Sequence, residues 1–244
     1  MAFSQAHSFR SIDSAVATLG VSDRVAFLRR TYAHLGVALL AWAGLTAGLM
    51  TVTQEFSLRF SAWALGGRLN WLLVLGAFML VGYVAERLAT SDTSRGLQYL
   101  GLGVAVGAEA LLLQPLLWLV VIKTGDGAGA LLTQAAIITG VIFVGLTLTV
   151  FLTRKDFSFM RGALTVASFA AMGIIIASMA LGFSLGVLFC GAMVLLMSGY
   201  ILYQTSQVMA YFPPTHHVAA ALMLFSTVAT LFWYVVQLLL SSRD

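Results

Sequence analysis

Glu109 is the residue whose type fits its surroundings least. It sits in "GVAVGAEALLLQPLL", about midway along an apolar run. An ionised carboxylate at that depth in a membrane helix costs on the order of 2.5–3.5 kcal/mol. Such a group faces the interior of a bundle and is neutral, paired or wet. Two chemistries fit it. It is a proton or cation site, or it is a protonated carboxyl that hydrogen-bonds a neighbouring helix. Pro115, six residues later, brings no N–H to the helix ladder, frees a carbonyl and is expected to kink the helix there.

Two neutral polar stripes lie further along. In "GYILYQTSQV", Tyr200, Tyr203, Gln204 and Gln207 recur at helical spacing on one face, and in "LMLFSTVATLFWYVVQLLL" Thr227, Thr230, Tyr234 and Gln237 do the same. Stripes on consecutive helices joined by a short loop are expected to face each other. They either line an ion path or form a seam of interhelical hydrogen bonds, each worth about 0.6 kcal/mol. None of these residues is charged, so the seam is the favoured reading. "GLGVAVG" adds Gly103 and Gly107, four apart, where backbones are expected to approach closely.

Hydrolytic metal chemistry finds little support. The four histidines are His7, His34 and the adjacent His216 and His217, with no HExxH spacing among them. His216 and His217 read as a solvated loop ahead of a pH sensor at the cytoplasmic mouth. Cys190, the single cysteine, lies in an apolar run and is expected to pack. No enzyme activity and no cofactor are expected.

The elements that position these residues follow from composition. Of 244 residues, 60% are hydrophobic and 9% charged, against about 25% charged in a soluble domain. The expected class is therefore all-α, a polytopic transmembrane bundle whose main solvent is the lipid bilayer. Seven apolar runs approach the roughly 20 residues that cross the hydrocarbon: 32–53, 71–89, 97–122, 130–153, 160–182, 184–211 and 216–240. The boundary between the fifth and sixth is only the uncharged turn "LGFSLG". Residues 1–31 read as a cytoplasmic tail and 32–240 as the membrane domain. The tail has no secretory h-region, so the first span is expected to act as its own insertion signal. Its "SIDSAVATLGVSDRVAFLRR" is either a mobile orientation signal or a short amphipathic helix on anionic lipid.

Charge gives sidedness. With the amino terminus inside, Arg10, Arg24, Arg29, Arg30, Arg87, Arg95, Arg154, Lys155 and Arg161 are cytoplasmic, while Arg59, Arg68, Lys123 and Arg243 are outside. That asymmetry places the carboxyl terminus outside. The net charge of +4 is scattered between apolar runs and does not point to nucleic acid.

Several stretches resemble one family when taken in order. "LLLQPLLWLV", then "FLTRKDFSFMRGAL" with its loop of Arg154, Lys155 and Asp156, then "GYILYQTSQV" and "HHVAAALMLFSTVATLFWYVVQLL" are similar to the Bax-inhibitor membrane proteins. They are nearest to the bacterial branch that contains the modulator of the FtsH protease, over nearly everything from Arg29 onward. The resemblance implies seven spans, a cytoplasmic amino terminus and a central last helix. In that branch it also implies a bacterial inner-membrane protein that restrains a membrane-bound AAA protease by contact. Calcium-leak members carry an aspartate in each of the last two spans. This chain has Gln204 at the first position and, by the alignment of "ALMLFST", Thr227 at the second. An amide and a hydroxyl cannot share protons as paired carboxylates do. A cation or proton leak here would have to use Glu109, with Gln204 and Thr227 as neutral lining.

Overall fold

The computed structural model describes residues 16, 20–92 and 94–243. Among them are eight α-helices and no strand: α1 Val21–Thr51, α2 Gln54–Leu65, α3 Arg68–Ala89, α4 Arg95–Thr124, α5 Ala128–Thr153, α6 Arg161–Leu181, α7 Gly186–Ala210 and α8 His217–Ser241. Among the described residues six stretches are long and apolar enough to cross a membrane, and the protein is a multi-pass membrane protein. One stretch, Arg95–Thr153, holds both α4 and α5, separated only by a single 3₁₀ turn at Gly125–Gly127. Each of the seven apolar runs thus coincides with a long helix. Most of the tail, residues 1–15 and 17–19, lies outside the described residues, as do His7 and Arg10.

α1 starts well before the first apolar run. Phe27, Thr31, Leu35, Ala38 and Trp42 are all buried and recur every three or four residues, so one helical face continues upstream through the arginine-rich segment. Asp23 in its first turn complements the positive end of the helix.

Helix ends follow local chemistry. α6 stops where Gly182 takes a left-handed φ of 80°, and α7 begins at Gly186 with φ 61°. The "LGFSLG" boundary is therefore a real chain reversal built on glycine. Arg154 ends α5 at φ 50°, a left-handed position occupied here by a non-glycine. α4 runs unbroken through Pro115.

Two compact units divide the chain. One takes Val208–Ser226 together with the described residues up to Trp118, and the other takes Leu119–Gln207 with the residues from Thr227 on. In the first, α3 and α4 approach at Gly101, where an added Cβ would come within 2.5 Å of the Ala85 carbonyl oxygen and 2.6 Å of the Ala89 nitrogen. This corrects the glycine expectation. Nothing lies within 4 Å of a Cβ added at Gly103 or Gly107. The close approach is at Gly101, which shares the buried face of α4 with Ala105, rather than at the more conspicuous glycine pair.

α8 is the most buried helix, with 67% of its most apolar window covered against 17–28% in the other candidate spans. Its Ala219, Ala220 and Ala221 are buried and small enough to let neighbours close in. Exposed Leu, Val and Phe side chains on α3, α5 and α6 present the lipid-facing surface such a protein needs.

Candidate functional site

In the second unit the Thr227 hydroxyl donates to Gln204 Oε1 at 2.7 Å, and both residues are buried. α7 presents Gln204 where α8 presents Thr227, so these two stripe residues do meet. The rest of the α7 stripe divides. Tyr200 turns to α6, its hydroxyl 2.8 Å from Ser168 Oγ and donating to the Leu164 carbonyl at 3.3 Å. Tyr203 and Gln207 make no side-chain hydrogen bond among the described residues. On α8, Tyr234 meets Phe189 edge to face, and Gln237 Oε1 lies 3.7 Å from the Cys190 thiol. Thr230 is half-buried. A single face of α7 thus serves both α6 and α8.

Ser206, which the stripe pattern skipped, ties the basic loop to α7. Its hydroxyl donates to the Tyr203 carbonyl at 2.8 Å and accepts from the Phe157 N–H at 3.3 Å. Asp156 accepts from the Ser158 N–H at 2.8 Å, which starts the next turn. Arg154 and Lys155 remain exposed at its edge. The "TSQ" of α7 and the "RKDF" loop are therefore one structural device. A loop N–H needs an acceptor, and the serine supplies it.

Glu109 lies in the first unit, fifteenth of the thirty residues of α4. It is 9% exposed and makes no hydrogen bond or ion pair among the described residues. Five residues on, Gln114 is bonded at both ends of its amide. Its Nε2 donates to the Ala110 carbonyl at 2.8 Å, and its Oε1 accepts from Ser57 Oγ at 2.7 Å. The Trp118 indole N–H donates to the same Ser57 oxygen at 2.8 Å. This buried cluster ties α2 to α4 beside Pro115. Sequence reasoning missed it because Ser57 belongs to a short element with no apolar period of its own. The "QPLLW" spacing, which puts Gln114 and Trp118 one turn apart, was the available signal.

The histidines form a second polar cluster in the first unit. His34 Nδ1 lies 2.7 Å from the Arg30 carbonyl and its Nε2 lies 3.1 Å from the Tyr99 hydroxyl. With the proton on Nδ1, the ring donates to the carbonyl and accepts from Tyr99. His217 meets His34 edge to face at 5.0 Å between ring centroids, and His216 Nε2 is 3.1 Å from Asp92 Oδ1. Both His216 and His217 are buried, which corrects the solvated-loop reading. Pro213 and Pro214 cannot continue α7, and the turn closed by the His216 N–H on the Pro213 carbonyl returns the chain toward the bundle.

Residues 24–244 match the family model described as "Inhibitor of apoptosis-promoting Bax1". The chain is also similar to "Uncharacterized protein PA2604" of Pseudomonas aeruginosa, 27% identical over 226 residues that cover 91% of this chain and 82% of that protein.

Proposed function

This chain belongs to the Bax-inhibitor family, and from that premise we propose that it is a non-enzymatic regulator in the bacterial inner membrane. It crosses the membrane seven times, with its amino terminus in the cytoplasm, and acts by contact with a membrane-bound AAA protease in membrane protein quality control. Counting seven crossings takes α4 and α5 as separate spans. The observation that carries the reading is the neutral bond between Thr227 and Gln204 at 2.7 Å. Leak members of the family hold carboxylates at the corresponding positions. Here an amide and a hydroxyl satisfy each other, and neither takes up or releases a proton in the physiological range. Crosslinking in native membranes tests the proposal. The protease complex should co-purify with the intact chain, and its repeated absence would overturn the regulatory reading.

A second reading has its own observation. Glu109 is a buried carboxyl with no partner among the described residues, at the middle of a membrane helix, and intramembrane carboxylates mark ion or proton paths. Proteoliposomes loaded with a calcium or pH dye decide it. A flux that Glu109→Gln abolishes supports a leak, and flux no greater than that of empty liposomes rejects one.

A further inference from the structure

α2 is apolar on the wrong side for a helix that faces water. Its buried face is Ser57, Ser61 and Ala64, and its exposed side carries Phe56, Leu58, Trp63 and Leu65. Phe56, Phe60 and Trp63 form a ring row, with centroids 6.5 and 6.4 Å apart. Small and polar residues inside with aromatic residues outside invert the pattern of a soluble surface helix. The inversion makes sense where the surrounding solvent is lipid.

Length and depth agree. Twelve residues make about 18 Å of helix, too short for a hydrocarbon core of about 30 Å. Yet α2 stands between α1 and α3, two candidate spans, so it belongs at one membrane face. α4 serves as a ruler, since Ser57 is bonded to Gln114 and Trp118. These residues stand ten and six positions before the end of α4 at Thr124, about 15 and 9 Å along its axis. Lys123 marks that end as the wet one. α2 is therefore held below the charged rim, where headgroups give way to acyl chains. Its only charges, Glu55 and Arg59, lie 3.5 Å apart and both are exposed.

We propose that α2 is an interfacial helix whose Phe56–Phe60–Trp63 row seats in the phospholipid of the leaflet next to the α1–α3 connection, along the headgroup–acyl border. The Glu55–Arg59 pair reaches into the headgroups, and aromatic rings suit that border because they combine an apolar body with polar or polarisable edges. The Ser57 hydrogen bonds hold the helix at its depth. The proposal rests on the membrane assignment and not on the protease reading, so either can fail alone.

Site-directed spin labelling tests it. With Cys190→Ser as background, single cysteines at positions 54 to 56 and 58 to 65 carry the label in vesicles of phosphatidylethanolamine and phosphatidylglycerol, leaving Ser57 and its hydrogen bonds in place. Collisions with oxygen should exceed those with a water-soluble nickel chelate several-fold at 56, 60 and 63. Both should be low at 61 and 64, giving a helical period. Chelate collisions dominating along the whole segment would overturn the proposal in favour of a solvated loop. Low collisions with both reagents at 56, 60 and 63 would overturn it in favour of a covering protein, a second copy included. Should labelled variants fail to fold, brominated lipids provide a second measurement on unlabelled protein. Lipids brominated near the headgroup should quench part of the tryptophan emission of the wild type, and Trp63→Phe should lose that part. Equal quenching in the two proteins would count against the interfacial position.

Discussion

Gln204 and Glu109 are both buried polar residues on membrane helices, and they differ in what meets them. Gln204 accepts the Thr227 hydroxyl at 2.7 Å, whereas Glu109 has no partner among the described residues. One group is structure, because removing it takes away the acceptor of another's hydroxyl. The other contributes no bond, so whatever keeps it must come from something other than a contact. Side-chain type alone would rank them in reverse, since the carboxylate looks the more consequential.

Ser57, Gln204 and Glu109 differ in how many hydrogen bonds among the described residues each side chain supports. Ser57 serves two, the Gln114 side-chain Oε1 and the Trp118 indole N–H. Ser57→Ala should therefore give the largest loss, roughly 1–3 kcal/mol. Thermal unfolding in detergent would read it, and a variant as stable as wild type would break the ranking. Ser57→Thr keeps the hydroxyl and should recover part of the loss.

Gln204→Leu strands only the Thr227 hydroxyl from this bond, and comes second. The expected cost is about 0.6–1.5 kcal/mol, since an unfolded chain within the membrane also finds partners for its polar groups. Adding Thr227→Val should recover part of it, because replacing both partners by apolar groups of similar size leaves neither end of this bond stranded. A double variant that loses the sum of both single effects would show that the 2.7 Å contact is not what stabilises α7 against α8.

How far these partners could be read from the sequence depends on the signal each one leaves. The long helices are legible because about 20 apolar residues leave few alternatives in lipid. The Gln204–Thr227 contact is legible as a register, since both lie on polar stripes of consecutive helices. The remaining members of those stripes were not, because a helix face about 100° wide can serve two neighbours, and Tyr200 goes to Ser168 on α6. α2 escaped because its pattern is inverted and short. The Gly101 contact escaped because proximity depends on which helix face is covered, and Gly103 looked the same in sequence. His216 and His217 escaped because two prolines and two histidines resemble an exposed loop until the turn carries them back under the bundle.

Glu109→Gln should have the smallest effect on stability. The amide keeps the shape of the carboxyl, and no hydrogen bond or ion pair among the described residues is removed, so the change should be smaller than the loss at Gln204. The same variant carries the most weight for function. If Glu109 is only a tolerated carboxyl, Glu109→Gln and Glu109→Leu both leave proteoliposome flux at the empty-vesicle level and leave protease co-purification unchanged. If it carries protons or cations, flux is present in the wild type and lost in both variants, while the unfolding temperature barely moves. A marked loss of stability in Glu109→Gln would contradict the comparison itself, because it would mean that the carboxyl has a partner in the membrane and belongs with Gln204 as structure. Stability and flux therefore need to be measured on the same preparation, since only their separation distinguishes a carboxyl kept for its chemistry from one kept for its contacts.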